Sequence, residues 1–591
     1  MSLAGLPPRI GVRLPTRRLL DWIQSLEHTF ERARAEGKAE NDTRVRILLV
    51  SCLFGLIFAG LAVGAIRAAL FSGLDAPLGR GGAPVLQRGD LTDRNGLLMA
   101  TNLPHYRLVI DPVETFDRAY VRNAVLRAMP ELSAAGRRRL ETVLAGDDRA
   151  FVVGGLTAAE RARLHDLALG GLHFEEEDAR VYPLDDLAAH VVGFANADGE
   201  GAAGFERAFD ADIRAAGADG GAVPLSIDLR VQGALETELE AVAVDQRVVG
   251  AVGIVTNVQT GEILAMASYP DFDPNRRGQA DASAMVNRAA GQVWEMGSTF
   301  KIFSIAAGLD SGRVDIDTVI DTGSPLRMAG RTINDFHAQN RPMSVEEVFL
   351  HSSNVGTSRV AALMGSQVMQ DYYRSFGLLD RQRIGLAESA APLTPRRWDA
   401  NTVASASFGH AMAVTPLHVA AGVGAIMNGG RYVPLTLRPV PAGRRPQGQR
   451  IITEVTSMRM LRLMRLNVER GSGRRAAVEG FSVGGKTGTA EKYTNGRVDR
   501  TRVTSSFVSV FPTEGPVTAD RYLVMILLDE PRGSEASGGA RTAGMTAAPA
   551  VGRVIRRIAP FLGVERRFEV LSASEAEALP LSEDASLAGP R

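Results

Sequence analysis

Residues 295–304 read EMGSTFKIFS, and the lysine in this stretch is unusual for the chain. The sequence has 67 lysines and arginines, of which only four are lysine: Lys38, Lys301, Lys486 and Lys492. Arginine cannot lose its proton in a protein, whereas a desolvated lysine can become a neutral base. A lysine three residues after Ser298 therefore suggests proton-transfer chemistry.

The same stretch predicts a helix that begins near Ser298 and continues through STFKIFSIAAGLDSG, where Gly308 or Gly312 ends it. Residues at i and i+3 share one face of a helix, so the Lys301 amine can reach the Ser298 hydroxyl. Serine becomes a good nucleophile when a neighbouring base takes its proton. The pKa of Lys301 would have to fall by about three units, through burial or a second cation. Ser298 also has its own backbone N–H free at the helix start to face an oxyanion.

A second motif lies in HSSNVGTSRV, where Ser352 and Asn354 form an S-x-N triplet 54 residues after Ser298. We expect Ser352 to relay protons between Lys301 and a leaving group, and the Asn354 amide to orient Lys301 and a substrate carbonyl. Alone, the triplet is a weak signal, because serine and asparagine commonly occupy turns and helix caps.

The third motif, in VGGKTGTAEK, is more specific and places Lys486, Thr487, Gly488 and Thr489 on a predicted strand. The cation and the hydroxyls suit a substrate carboxylate, and we expect Gly488 to leave space beside the reacting carbonyl. Two of the four lysines thus have predicted chemical roles.

A membrane anchor is predicted at residues 47–66, ILLVSCLFGLIFAGLAVGAI, twenty positions without a charge. This length suffices to cross a bilayer, and 46 preceding residues favour an uncleaved anchor over a signal peptide. Five basic residues lie in 32–46 and two in 67–81, which predicts a cytoplasmic N-terminus.

The remaining chain predicts an α+β protein of several domains, as expected for 591 residues. We predict a cytoplasmic tail at 1–46, the anchor, a linker at 67–84, a mixed α+β module at 85–225, a catalytic domain at 226–565 and a disordered tail at 566–591. Turn signals at Asn95-Gly96 and at 259–261 predict β-hairpins. Strands without regular βαβ spacing predict an antiparallel sheet flanked by helices in the catalytic domain.

Composition excludes other classes of site. The single cysteine excludes a disulfide framework and a cysteine-rich metal site. The formal net charge of zero gives no overall nucleic-acid footprint. We expect no metal and no organic cofactor.

In the order S-x-x-K, S-x-N and K-T-G, the motifs resemble those of the penicillin-recognising serine acyltransferases. After the anchor, nearly the whole chain resembles a class B penicillin-binding protein, a monofunctional peptidoglycan D,D-transpeptidase. RGDLTDRNG is similar to the start of the family's pedestal (dimerisation-type) domain, and DGEGAAGFERAFD to the segment before its catalytic domain. SSNVGTSRVA, SFGHAMAVTPLH and GKTGTAEK resemble the division-specific branch more than the elongation branch.

The resemblance implies that Ser298 attacks the penultimate D-alanine of a stem peptide, with Lys301 as base, Ser352 as relay and Asn354 as orienting residue. The backbone N–H groups of Ser298 and Thr489 would form the oxyanion hole. Lys486, Thr487 and Thr489 would bind the carboxylate of the peptide or of a β-lactam. It also implies an inner-membrane enzyme at the division septum, with the catalytic region in the periplasm. Expected partners are an FtsW-type glycan polymerase and other division proteins.

Four other functions share part of this pattern. An elongation-specific transpeptidase would share all three motifs. A class A β-lactamase needs a glutamate within E-x-x-x-N, and no glutamate between 355 and 485 has asparagine four residues later. A β-lactam sensor would need several membrane spans, and a non-enzymatic scaffold would tolerate the loss of Ser298 or Lys301.

Overall fold

The computed structural model describes residues 88–567, except 197, 329, 495 and 496, together with a few isolated positions before residue 60. The predicted tail, anchor and linker lie almost entirely outside the described residues, as does the chain after residue 567. Within the described part of the chain, no helix combines the length and the apolar character needed to span a bilayer.

The strands are numbered in chain order: β1 Asp90–Thr92, β2 Leu98–Ile110, β3 Ala150–Leu156, β4 Leu172–Val181, β5 Phe194–Ala195, β6 Gly201–Ala203, β7 Ala222–Pro224, β8 Gly250–Asn257, β9 Ile263–Tyr269, β10 Val319–Ile320, β11 Leu326–Met328, β12 Arg331–Ile333, β13 Met343–Ser344, β14 Arg431–Tyr432, β15 Gln449–Arg450, β16 Gly484–Thr494, β17 Arg497–Phe511 and β18 Tyr522–Asp529.

The α-helices are α1 Arg118–Ala128, α2 Ala134–Ala145, α3 Ala158–His165, α4 Ala189–Val192, α5 Gly204–Ala208, α6 Asp210–Ala218, α7 Leu229–Gln246, α8 Arg288–Gly291, α9 Lys301–Asp310, α10 Val345–Leu350, α11 Asn354–Met364, α12 Ser366–Ser375, α13 Ala400–Ser407, α14 Pro416–Met427, α15 Glu454–Glu469 and α16 Ala547–Ile558. Short 3₁₀ helices span Pro112–Glu114, Pro274–Gln279, Gly297–Phe300 and Arg474–Ala476.

The first module is built on a sheet of order β3-β2-β1-β7, with β4 also paired to β2. Its predicted hairpin is confirmed: β1 and β2 pair antiparallel, and Gly96 has a φ of +86° in the turn. The Asp93 carboxylate stabilises this turn by accepting from the N–H groups of Asn95 and Leu97. Helices α1 to α3 supply the apolar side chains that pack on the sheet.

The chain passes from the first module to the catalytic region at residues 225 and 226. The Leu225 N–H donates to the Thr92 carbonyl of the first module, and the Ser226 N–H donates to the Leu437 carbonyl at 2.8 Å. A buried cluster lies close by, in which the carboxylate of Glu206 accepts from both Arg88 and Arg180. A buried carboxylate needs such partners because its desolvation is otherwise costly.

The catalytic region contains the predicted antiparallel sheet, with strand order β16-β17-β18-β8-β9. Helices pack against both faces of this sheet, and successive residues of β18 point alternately to the two faces. Leu523, Met525 and Leu527 pack into one core with α9, α14 and α15. Val524, Ile526 and Leu528 pack into another core with α7 and α16. The period-2 alternation of a strand thus fills two separate cores. Strand β16, which carries the K-T-G residues, lies at the open edge.

Candidate active site

The Ser298 turn precedes a regular helix. Ser298 lies in the 3₁₀ helix Gly297–Phe300, and the α-helix α9 begins at Lys301. Gly308 lies inside α9, so of the two predicted helix stops only Gly312, with a φ of +65°, lies after its end. Ser298 is in the first turn, where backbone N–H groups have no partner within the helix and remain available to an oxyanion.

Two glycines allow β16 to lie against this turn. A Cβ on Gly297 would lie 2.5 Å from the Thr489 carbonyl oxygen, and a Cβ on Gly488 would lie 2.5 Å from the Met296 carbonyl oxygen. Such distances are below van der Waals contact, so only glycine fits at either position. We expected Gly488 to leave space for a reacting carbonyl, and the structure shows that its missing side chain also admits the backbone beside the nucleophile.

The amine of Lys301 lies at the centre of the site, and its side chain is completely buried. Its Nζ is 2.8 Å from Ser298 Oγ, 2.6 Å from the Ser352 carbonyl oxygen, 3.1 Å from Ser352 Oγ and 2.8 Å from Asn354 Oδ1. An ammonium group has three protons and no lone pair. A neutral amine here would donate to the Ser352 carbonyl and to Asn354 Oδ1, and its lone pair would face the Ser298 hydroxyl. The geometry therefore suits a base.

The electrostatic surroundings act in the same direction. Burial, and secondly the positive charge of Lys486, hold the pKa of Lys301 well below its ordinary value, while the negative charge of Asp335 opposes them. These are the two causes expected from the sequence, desolvation and a second cation.

Ser352 and Asn354 connect the two lysines. Ser352 adopts a left-handed backbone conformation, with a φ of +57°. Its Oγ lies 3.1 Å from Lys301 Nζ and 2.9 Å from Lys486 Nζ, so one hydroxyl bridges two amines. Asn354 Nδ2 donates to the Asn334 carbonyl at 3.1 Å, which turns Oδ1 of the same amide towards Lys301.

The K-T-G residues form the remaining side of the site. Lys486 is also completely buried, and burial lowers its pKa to about 7. Thr487 Oγ1 lies 2.7 Å from Ser472 Oγ, and Thr489 Oγ1 accepts from the Ala543 N–H at 3.2 Å. All eight residues singled out from the sequence are thus brought together: Ser298, Lys301, Ser352, Asn354, Lys486, Thr487, Gly488 and Thr489.

Several supporting residues were not found from the sequence. Asn467 of α15 is completely buried; its Nδ2 donates to the Gly485 carbonyl at 2.7 Å, and its Oδ1 accepts from Ser472 Oγ at 3.2 Å. Asp335 accepts from Ser353, the middle residue of S-x-N. A buried asparagine among the apolar residues of α15 was a detectable signal, whereas Asp335 has no local pattern.

Comparison with known proteins agrees with this geometry. Residues 251–551 match the penicillin-binding protein transpeptidase domain, and residues 85–216 match the penicillin-binding protein dimerisation domain. The chain is 49% identical over 585 residues, 98% of each chain, to the probable peptidoglycan D,D-transpeptidase FtsI of Caulobacter vibrioides. It is 29% identical to the peptidoglycan D,D-transpeptidase FtsI of Escherichia coli over 81% of this chain and 84% of that protein.

A solved structure shows the same fold. Penicillin-binding protein 3 of Mycobacterium tuberculosis, complexed with aztreonam, superimposes with a TM-score of 0.63 at 24% identity, over 81% of this chain and 97% of that chain. With the full-length similarity to FtsI and both matched domains, this chain belongs to the class B penicillin-binding proteins, in the FtsI-like group.

Proposed function

We propose that the protein is a serine-type peptidoglycan D,D-transpeptidase that cross-links stem peptides during septal wall synthesis. The observation that carries the proposal is the contact between the buried Lys301 amine and Ser298 Oγ, at 2.8 Å. A neutral amine at this distance can take the serine proton as the C–O bond forms.

In the acylation step, Ser298 Oγ attacks the carbonyl carbon of the penultimate D-alanine and its proton passes to Lys301. The N–H groups of Ser298 and Thr489 stabilise the oxyanion, an interaction that typically contributes about a hundredfold or more to rate. The amide bond then breaks, and the proton moves from Lys301 through Ser352 Oγ to the departing amine. Terminal D-alanine leaves, and an ester on Ser298 remains.

In the transfer step, the amine of a second stem peptide attacks this ester. The proton lost by the amine returns to Ser298 Oγ through Lys301 as the ester bond breaks. The new amide is the cross-link. Before acylation, Lys486, Thr487 and Thr489 hold the carboxylate of the donor's terminal D-alanine, and a β-lactam carboxylate takes the same position. The mechanism needs no metal or organic cofactor.

The wider setting is part of the proposal. We infer a single-pass inner-membrane protein with its anchor at 47–66, a pedestal at 85–225 and a periplasmic transpeptidase domain at 226–565. The FtsI names of its relatives support a role in division, with an FtsW-type polymerase and other division proteins as partners. A tagged copy at the septum supports this role; localisation along the side wall would indicate the elongation alternative.

A labelled penicillin tests the chemistry directly. The expected result is a stoichiometric, long-lived adduct on a peptide that contains Ser298, absent in Ser298→Ala. Rapid turnover of the label would instead identify a β-lactamase. The absence of any adduct on the folded protein would contradict both functions and leave a non-enzymatic scaffold.

A further inference from the structure

The S-x-N turn is held by two residues from a separate segment that follows β12. The Asp335 carboxylate accepts from Ser353 Oγ at 2.6 Å and from the Val355 N–H at 2.9 Å. Ser353 Oγ in turn accepts from the Gly356 N–H at 2.8 Å and caps α11. The adjacent Asn334 carbonyl accepts from the Asn354 amide. The carboxylate thus lies at the N-terminus of α11, where the helix dipole favours negative charge.

These contacts matter because the turn they hold is tightly constrained. Ser352 has a left-handed backbone conformation, and both its carbonyl oxygen and its hydroxyl contact Lys301. A left-handed conformation in a residue other than glycine persists only when the surrounding structure maintains it. Ser353 is buried and Asp335 is half-buried, so their hydrogen bond is shielded from competition by water.

The negative charge of Asp335 also acts on Lys301. Among the described residues, three charged or titratable groups from other elements influence Lys301 or are influenced by it: Lys486 of β16, Asp335 after β12, and His410 after α13. Burial lowers the pKa of His410 to about 4, so this ring is neutral near pH 7. Asp335 is therefore an acidic group that opposes the effect of the Lys486 charge on Lys301.

We propose that Asp335 is a positioning residue for acyl transfer: its carboxylate fixes the 352–354 turn against Lys301 and supplies the negative charge that balances Lys486. This inference rests on the proposed function, because it assigns Asp335 a role in the same reaction. The charge and the hydrogen bonds make separate contributions, so they can be separated by substitution.

The test is the pH dependence of acylation by a fluorescent penicillin, measured on the full-length protein. Asp335→Asn removes the charge but keeps an oxygen to accept from Val355. Without the anion, Lys301 loses its proton more readily, so the acid limb of the profile is expected to move to lower pH by about 0.5–1 unit. Ser353→Ala keeps the charge and removes both hydrogen bonds of the Ser353 hydroxyl, to Asp335 and from the Gly356 N–H. The acid limb of its pH profile is expected at the same pH as in the wild type, and the acylation rate on the plateau is expected to be about three- to tenfold lower.

An unmoved limb in Asp335→Asn would overturn the proposal and leave Asp335 a purely structural role. Asp335→Ser also removes the charge and retains an oxygen, so it supplies the same readout if the asparagine variant does not fold. Asp335→Glu keeps the charge and is expected to keep the wild-type limb. Failure of the proposed function is a different outcome, because the wild-type protein itself would then form no adduct on Ser298.

Discussion

Lys301 Nζ lies 2.8 Å from Ser298 Oγ, and the lysine side chain has no solvent exposure. Acylation therefore depends on the protonation state of Lys301, which must be neutral to take the Ser298 proton, and not on the size of its side chain. A buried ammonium between Ser298, Ser352 and Asn354 would have no free lone pair.

Lys301→Arg is expected to lower the acylation rate constant by about 10²–10⁴-fold, because a guanidinium does not lose its proton and cannot act as a general base. The measured quantity is the second-order rate constant for acylation by a fluorescent penicillin. Lys492→Arg is the matched control, since Lys492 donates to Asp529 and Glu530 away from the site and arginine keeps the charge. Equal acylation of the two variants would contradict the general-base role.

Gly488→Ala is expected to abolish acylation and to destabilise the catalytic region by about 1–3 kcal/mol, as overpacking does. The added methyl would lie 2.5 Å from the Met296 carbonyl oxygen, so β16 must move away from the nucleophile turn. Gly278→Ala is the control, because no atom lies within 4 Å of a Cβ there. Adduct yield and denaturant midpoints are compared, and a Gly488→Ala protein with wild-type values for both would refute the close-packing argument.

Ser472→Ala is expected to weaken binding of carboxylate-bearing β-lactams. Ser472 Oγ lies 2.7 Å from Thr487 Oγ1 and 3.2 Å from Asn467 Oδ1, so it orients the hydroxyl that we assign to the carboxylate. Loss of the contact with Thr487, worth about 1 kcal/mol, corresponds to a roughly fivefold lower acylation efficiency. Ser472→Thr restores the hydroxyl and is expected to recover most of it. If the acylation efficiency of Ser472→Thr is no higher than that of Ser472→Ala, the hydroxyl is not the relevant group.

The buried His418 is expected to make stability depend on pH. Its Nδ1 accepts from Thr415, and its Nε2 donates to the Asp380 carbonyl at 2.9 Å, so the folded state holds the neutral ring. Burial lowers its pKa to about 4, against about 6.5 in an unfolded chain. Well above pH 6.5 the ring is neutral in both states and has no effect. As pH falls towards 4 the unfolded chain binds the proton first, and stability decreases by about 2 kcal/mol at pH 5.

Denaturant midpoints at about pH 7.5 and about pH 5 measure this effect. In His418→Gln the fall in stability between these two pH values is expected to be smaller than in the wild type, because glutamine does not titrate. The exposed His337→Gln serves as control and is expected to keep the wild-type difference. A wild-type pH dependence in His418→Gln would show that other groups cause the decrease.

Much of the catalytic architecture was predictable because the signals are local. The two hairpins were readable from turn residues between strands, and the order S-x-x-K, S-x-N, K-T-G identified the chemistry from short segments. The 3₁₀ character of the Ser298 turn was not predictable. The turn begins at Gly297, which has a φ of +54° and whose N–H donates to the Gly409 carbonyl, 112 residues later. Asp335 and Ser472 were missed for a related reason: each acts on a residue in another segment, and neither belongs to a periodic pattern.

By itself, the sequence determined which residue types were available and where along the chain they stood: a serine and a lysine at helical spacing, two further polar motifs, and apolar runs long enough for a covered sheet. Only the tertiary structure decided that Lys301 and Lys486 share the Ser352 hydroxyl and that both are removed from water. The reason is physical. Burial and the repulsion between two cations are properties of three-dimensional proximity, and they change a lysine from a cation into a base.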